Sequence, residues 1–116
     1  MAGGNLKSVK TKSEFMALLN ESNGKHVIVD FTASWCGPCK MIGPFFVECS
    51  EHFPNLVFVK IDVDEADELA ADCGVSAMPT FQVFDPAKGD ELESCKVEEL
   101  VGASKDKLKE LCGKYN

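Results

Sequence analysis

A single α/β domain is the expectation for this chain. Strands and helices follow the order βαβαβαββα, which makes a central mixed five-stranded sheet flanked by four helices. Three observations carry this reading. Two runs, HVIVDFTA (His26–Ala33) and NLVFVKIDV (Asn55–Val63), are almost continuously apolar and β-branched, the pattern of strands buried on both faces. Between the strand-like runs lie segments with apolar residues at helical spacing and helix-start signals ahead of them. The length of 116 residues suits one domain that buries its own core, so 1–116 reads as one unit.

LKSVK (Leu6–Lys10) is a short candidate strand. Thr11 and Glu14 then stand in capping-box spacing, Phe15, Leu18 and Leu19 follow at helical spacing, and Gly24 ends the helix. After the first buried strand a helix begins at Cys36, with Ile42, Phe45, Phe46, Cys49 and Phe53 on one stripe. Pro38 suits its first turn, and Pro44 is expected to kink its interior. The second buried strand leads to DEADELAADCG, read as a short helix with Asp64 as N-cap and Gly74 beyond its end. PTFQVFD (Pro79–Asp85) is a strand, PAKGDELES a polar turn region, and a last strand falls within Cys95–Val101. Ser104 caps a final helix whose Leu108, Leu111, Cys112 and Tyr115 share a face.

The charge is acidic: 12 basic residues, all lysine, stand against 19 acidic ones, a net charge of −7. That balance speaks against nucleic acid and anionic membranes as partners. No apolar run approaches the roughly 20 residues that span a bilayer. The first residues lack the apolar core of a secretory signal, so a cytoplasmic location is expected. Six cysteines, about 5% of the chain, fall below the roughly 8–10% of disulfide scaffolds, and free thiols are expected.

The chemistry concentrates in TASWCGPCKM (Thr32–Met41), where only Gly37 and Pro38 separate Cys36 from Cys39. Structural zinc wants four ligands, and no second such pair is present, so no metal site is expected. A stapling disulfide over so small a loop removes little chain entropy and contributes little stability. Redox exchange explains more. The free N–H groups of a helix N-terminus favour a thiolate at Cys36, and Lys40 adds positive charge. Cys39, one turn on, is placed to attack a mixed disulfide formed at Cys36. A C-x-x-C beside a βαβ pattern is a redox signature. Asp30 is the one charged residue in HVIVDFTA. It either accepts a thiol proton or only bridges to Lys60. Trp35 is either a core aromatic or a shield for the thiolate.

The segment VDFTASWCGPCKMIGPFF, followed by KIDVDE, MPTFQVF and VGASKDKL, resembles the thioredoxin family over nearly the whole chain, and its cytosolic animal-type members most. The resemblance implies that Cys36 is the attacking nucleophile and Cys39 the resolving thiol. It implies that Asp30 takes the resolving thiol's proton and that Lys60 tunes it. It further implies a cis Met78–Pro79 bond facing the dithiol, with a substrate groove of Trp35, Gly37, Pro38, Val63, Ala77, Met78, Pro79, Val101 and Gly102. The implied activity is general protein-disulfide reduction, with no cofactor held by the chain. Electrons would come from NADPH through a thioredoxin reductase. Targets would be disulfide-containing proteins such as peroxiredoxin, ribonucleotide reductase and methionine sulfoxide reductase. The alternatives are a disulfide isomerase or oxidase, or a non-catalytic binding subunit using the same groove.

The sequence also departs from the family. Animal members often carry a cysteine just before the Met-Pro pair, but Ala77 stands there, so a monomer is expected. Gly43 replaces a frequent lysine. Cys49 and Cys112 fall on apolar helix faces and are expected to be buried and inert, and Cys73 sits at a helix C-terminus that disfavours a thiolate. DPAKGDELESCKVEE is longer than the family's hairpin, and is expected to be an exposed loop carrying an exposed Cys95 as a regulatory or intermolecular site.

Overall fold

The computed structural model describes residues 5–116. In chain order its elements are β1 (Leu6–Ser8), α1 (Lys12–Asn20), β2 (His26–Thr32), α2 (Gly37–His52) and β3 (Leu56–Asp62). They continue with α3 (Asp67–Asp72), β4 (Thr80–Phe84), α4 (Leu92–Cys95), β5 (Lys96–Val101) and α5 (Lys105–Tyr115). The strands form one sheet in the order β1-β3-β2-β4-β5. β1, β3 and β2 run parallel, and β4 and β5 are antiparallel to their neighbours. The two continuously apolar runs are the innermost parallel strands, as their composition requires.

Alternation along β2 sorts the core. Val27, Val29 and Phe31 enter one cluster with Phe15 of α1, Leu69 of α3 and Leu92 of α4. Ile28 enters the other with Ile42 and Phe46 of α2 and Leu108 and Leu111 of α5. The same period sends Asp30 to the α2 face.

Local signals set most element starts. Thr11 Oγ1 accepts the Glu14 N–H at 3.1 Å while Glu14 Oε1 accepts the Thr11 N–H at 3.2 Å, closing the capping box. Ser104 Oγ accepts the Lys107 N–H at 3.3 Å. Pro38 lies in the first turn of α2, and the helix continues through Pro44. Asp64 does not cap α3: the cap position is Ala66, without a side-chain bond. Asp62 makes the turn there, its Oδ1 accepting the Asp64 N–H at 2.8 Å.

The segment after β4 corrects two expectations. It is not an open loop but a 3₁₀ turn (Pro86–Lys88) followed by the one-turn helix α4, so five helices flank the sheet instead of four. α4 turns Leu92 and Cys95 onto the α1 and α3 cluster, and Cys95 is fully buried. Burying two apolar groups outweighs the polarity of the surrounding residues, which alone predicted exposure. Gly89 permits the turn: its φ is +142°, and a Cβ there would meet Ser94 Oγ at 2.6 Å.

Candidate active site

The site forms where β2 ends and α2 begins. Cys36 is the N-cap of α2, and the Cys39 N–H points at Cys36 Sγ at 3.2 Å. That amide is one of the donors every helix leaves unpaired in its first turn. Aimed at sulfur, it stabilises negative charge there, and the helix dipole adds to it. Cys36 and Cys39 are joined as a disulfide, with Cα atoms 5.3 Å apart. Both are buried and pack against Ala33, with Val63 and Met78 beside them. Gly37 and Pro38 between them are exposed.

Asp30 lies behind the pair. It is buried, and its Oδ1 has no hydrogen-bond partner. Burial pushes its carboxyl from 3.8 up to about 7, with Lys60 pulling the other way. Lys60 sits opposite Asp30 in the β2–β3 register and is itself exposed. A cavity of ≈ 460 Å³ joins these groups: Asp30, Cys39, Lys40, Gly43, Pro44 and Lys60 all line it. Cys39, the acid and solvent thus share one space, which water can bridge. Gly43 contributes to its openness, since nothing lies within 4 Å of where its Cβ would be.

The opposite side of the disulfide is the exposed one. The Met78–Pro79 bond is cis, and the Met78 carbonyl oxygen lies 3.7 Å from Cys36 Sγ. Ala77 is exposed, Val63 and Met78 are half-buried, and Pro79 is buried. The Gly102 N–H donates to the Pro79 carbonyl at 2.9 Å, which brings Val101 and Gly102 beside the Met-Pro pair. Trp35 and Val101 are 65% and 58% exposed, which rules out the core reading of Trp35. Val63 and Met78 thus pack against the disulfide, with Pro79, Val101 and Gly102 following beside Met78, while Cys95, expected as a regulatory thiol, lies in the α1 and α3 cluster.

Sequence reasoning missed one member. Trp35 Nε1 donates to Asp64 Oδ2 at 2.9 Å, so the acid assigned to a helix cap holds the tryptophan instead. The signal was present in the D-x-D spacing of Asp62 and Asp64, where the first aspartate makes the turn and frees the second.

The remaining cysteines, Cys49, Cys73, Cys95 and Cys112, are all buried free thiols. Cys73 closes α3 as its C-cap, and its thiol is pushed up to about 11, first by burial and then by Asp72. Among the described residues, no three His, Cys, Asp or Glu side chains are grouped to hold a metal ion. No helix among them is long and apolar enough to cross a membrane.

The thioredoxin family profile matches residues 7–114. A thioredoxin of Equus caballus is 50% identical over 103 residues, 89% of this chain and 91% of that one. A thioredoxin of Ophiophagus hannah is 47% identical over 110 residues, 95% of this chain and 98% of that one. Among solved structures, a reduced thioredoxin pre-protein of Schistosoma mansoni superposes with a TM-score of 0.85 at 39% identity, covering 97% of this chain and 100% of that one. A Plasmodium falciparum thioredoxin superposes with a TM-score of 0.82 at 41% identity, covering 95% and 99%.

Proposed function

The chain belongs to the thioredoxin family, whose members are disulfide oxidoreductases, and we propose that it acts as a general protein-disulfide reductase. The observation that carries this reading is the Cys36–Cys39 disulfide, capped by a helix amide on one side and backed by buried Asp30 on the other. In the reduced state the Cys36 thiolate attacks one sulfur of a target disulfide. A Cys36–target bond forms, and the second target sulfur leaves as a thiolate that takes a proton from water. Asp30 then accepts the Cys39 proton through the shared cavity. With a carboxyl titrating near 7, it is poised between acid and base at neutral pH. Cys39 attacks Cys36 Sγ, closes the intramolecular disulfide and releases the reduced target. Lys60 favours the ionised form of Asp30 and sets where that exchange occurs.

An extended target segment lies against the Met78 backbone, between Trp35 on one side and Val101 and Gly102 on the other. Val63 and Ala77 complete the groove. Electrons return from NADPH through a thioredoxin reductase, and peroxiredoxins, ribonucleotide reductase and methionine sulfoxide reductases are the target classes proposed. The chain works as a monomer in the cytoplasm.

Insulin reduction tests the reading. With dithiothreitol as donor, the protein should accelerate insulin precipitation, and NADPH with thioredoxin reductase should replace dithiothreitol. No acceleration with either donor contradicts the reductase reading. Acceleration with dithiothreitol alone would remove only the recycling step.

A further inference from the structure

Gly43 stands inside α2, where glycine is a poor helix former. Neither its backbone nor its neighbours beyond the chain demand one: its φ is not positive, and nothing lies within 4 Å of where a Cβ would be. Its place in the cavity of ≈ 460 Å³ gives the glycine another meaning. One wall of that cavity is a stripe of α2 at helical spacing, Cys39, Lys40, Gly43, Phe46 and Val47. The other wall is the end of the sheet, where Asp30 of β2 stands opposite Lys60 of β3. Asp30 is buried with its Oδ1 unpartnered, whereas Lys40, Pro44 and Lys60 are exposed, so the cavity runs from solvent to the acid. A helical side chain lies over the turn before its own Cα. At position 43, in the middle of the stripe, it would fill the space beside Lys40 and Cys39.

We propose that Gly43 keeps this space open as a water port, through which the Cys39 proton reaches Asp30 and then solvent when Cys39 resolves a mixed disulfide. The role rests on the reductase reading of the dithiol. In that step the Cys39 S–H proton passes through water to the Asp30 carboxylate, and the Cys39 sulfur attacks Cys36 Sγ. The Cys36–Cys39 bond forms, the Cys36–target bond breaks, and the target sulfur leaves as a thiolate. Asp30 returns its proton to solvent by the same route. A cavity of this size with charged groups on both walls suits water.

Pro44 offers a rival reason for the glycine, because a Cβ on the residue before a proline disfavours the helical conformation. Alanine at position 43 meets that penalty and leaves most of the port open. Leucine meets the same penalty and fills it. The difference between the two variants therefore isolates the port.

The test mixes the reduced full chain with a symmetric fluorescent disulfide in a stopped flow. The first thiol released reports attack by Cys36, and the second reports resolution by Cys39. At pH 8, Gly43→Leu should match Gly43→Ala in the first phase and run about tenfold slower in the second. Burial already pushes Asp30 up to about 7, so loss of water should move the pH midpoint of the second phase higher in Gly43→Leu. With Asp30→Asn added to both, the two variants should resolve at equal rates, since the port then serves no acid. Equal second phases with Asp30 in place would overturn the proposal. So would a slowing by leucine that persists in the Asp30→Asn background. Gly43→Met, with a more adaptable side chain, repeats the comparison if leucine unfolds the protein. Insulin reduction by the wild type reads the reductase function separately, and the two thiol-release phases decide the port whatever that assay gives.

Discussion

Two cysteines of this chain mark opposite ends of helices. Cys36 is the N-cap of α2, with a backbone N–H aimed at its sulfur. Cys73 is the C-cap of α3, with Asp72 beside it and its thiol pushed up to about 11. Both are buried to a similar degree, 6% exposed in each case. Burial is the first cause that raises the Cys73 thiol and Asp72 the second, whereas at Cys36 a helix N–H aimed at the sulfur opposes the cost of burial. Cys36 is also bonded to Cys39, with buried Asp30 behind the pair, whereas Cys73 contributes its carbonyl to the buried Gln82 amide at 2.9 Å. One position is arranged for exchange and the other for packing.

The sharpest way to break the comparison is to remove the favoured sulfur. Cys36→Ser should reduce insulin turnover to the uncatalysed rate. Cys73→Ser should leave turnover within about twofold, because an inert thiol contributes only packing. Equal losses in the two variants would erase the distinction.

Asp30→Asn is the next largest effect. Without the proton acceptor, resolution of a mixed disulfide should slow about a hundredfold above pH 7. Stopped-flow release of a fluorescent thiol measures it. The same substitution should stabilise the fold. In the folded chain Asp30 holds its proton up to about pH 7, whereas unfolded it loses it near 3.8. Between those values the folded state binds more protons, so stability falls as pH rises through that window, by about 4 kcal/mol at most. The melting temperature of Asp30→Asn should exceed that of wild type at pH 8, and the gap should close toward pH 4.

Alkylation of the reduced wild-type chain compares the two cysteines directly. At pH 8 a thiol titrating near 11 holds about a hundredfold less thiolate than an ordinary one. Iodoacetamide should therefore label Cys36 well before Cys73, as followed by mass spectrometry. The smallest effect concerns the exposed rim. Trp35→Ala removes the bond to Asp64, and should cost about 1 kcal/mol or less in stability. It should slow reduction of insulin several-fold while leaving exchange with small disulfides unchanged.

The fold was largely legible because its signals are local. The runs His26–Ala33 and Asn55–Val63 declared themselves by continuous apolarity, and Thr11 and Ser104 by capping chemistry. The dithiol was legible too, since Cys36, Cys39 and Pro38 lie within four positions and Asp30 stands out in an apolar strand. What escaped depends on tertiary context. Polarity around Cys95 suggested exposure, but a single helical turn places it with Leu92 inside. Asp64 fitted a helix cap equally well on sequence, and only the fold brings it to Trp35, 29 positions away.

The central claim is that α2's N-terminus makes Cys36 the sulfur that engages targets. Cys39→Ser removes the resolving thiol and should freeze the reaction after its first step. Incubated with oxidised insulin and digested without reductant, this variant should yield one mixed disulfide, joining an insulin cysteine to the peptide that carries Cys36. An adduct on Cys49, Cys73, Cys95 or Cys112 with Cys36 left free, or no adduct while wild type reduces insulin, would contradict it.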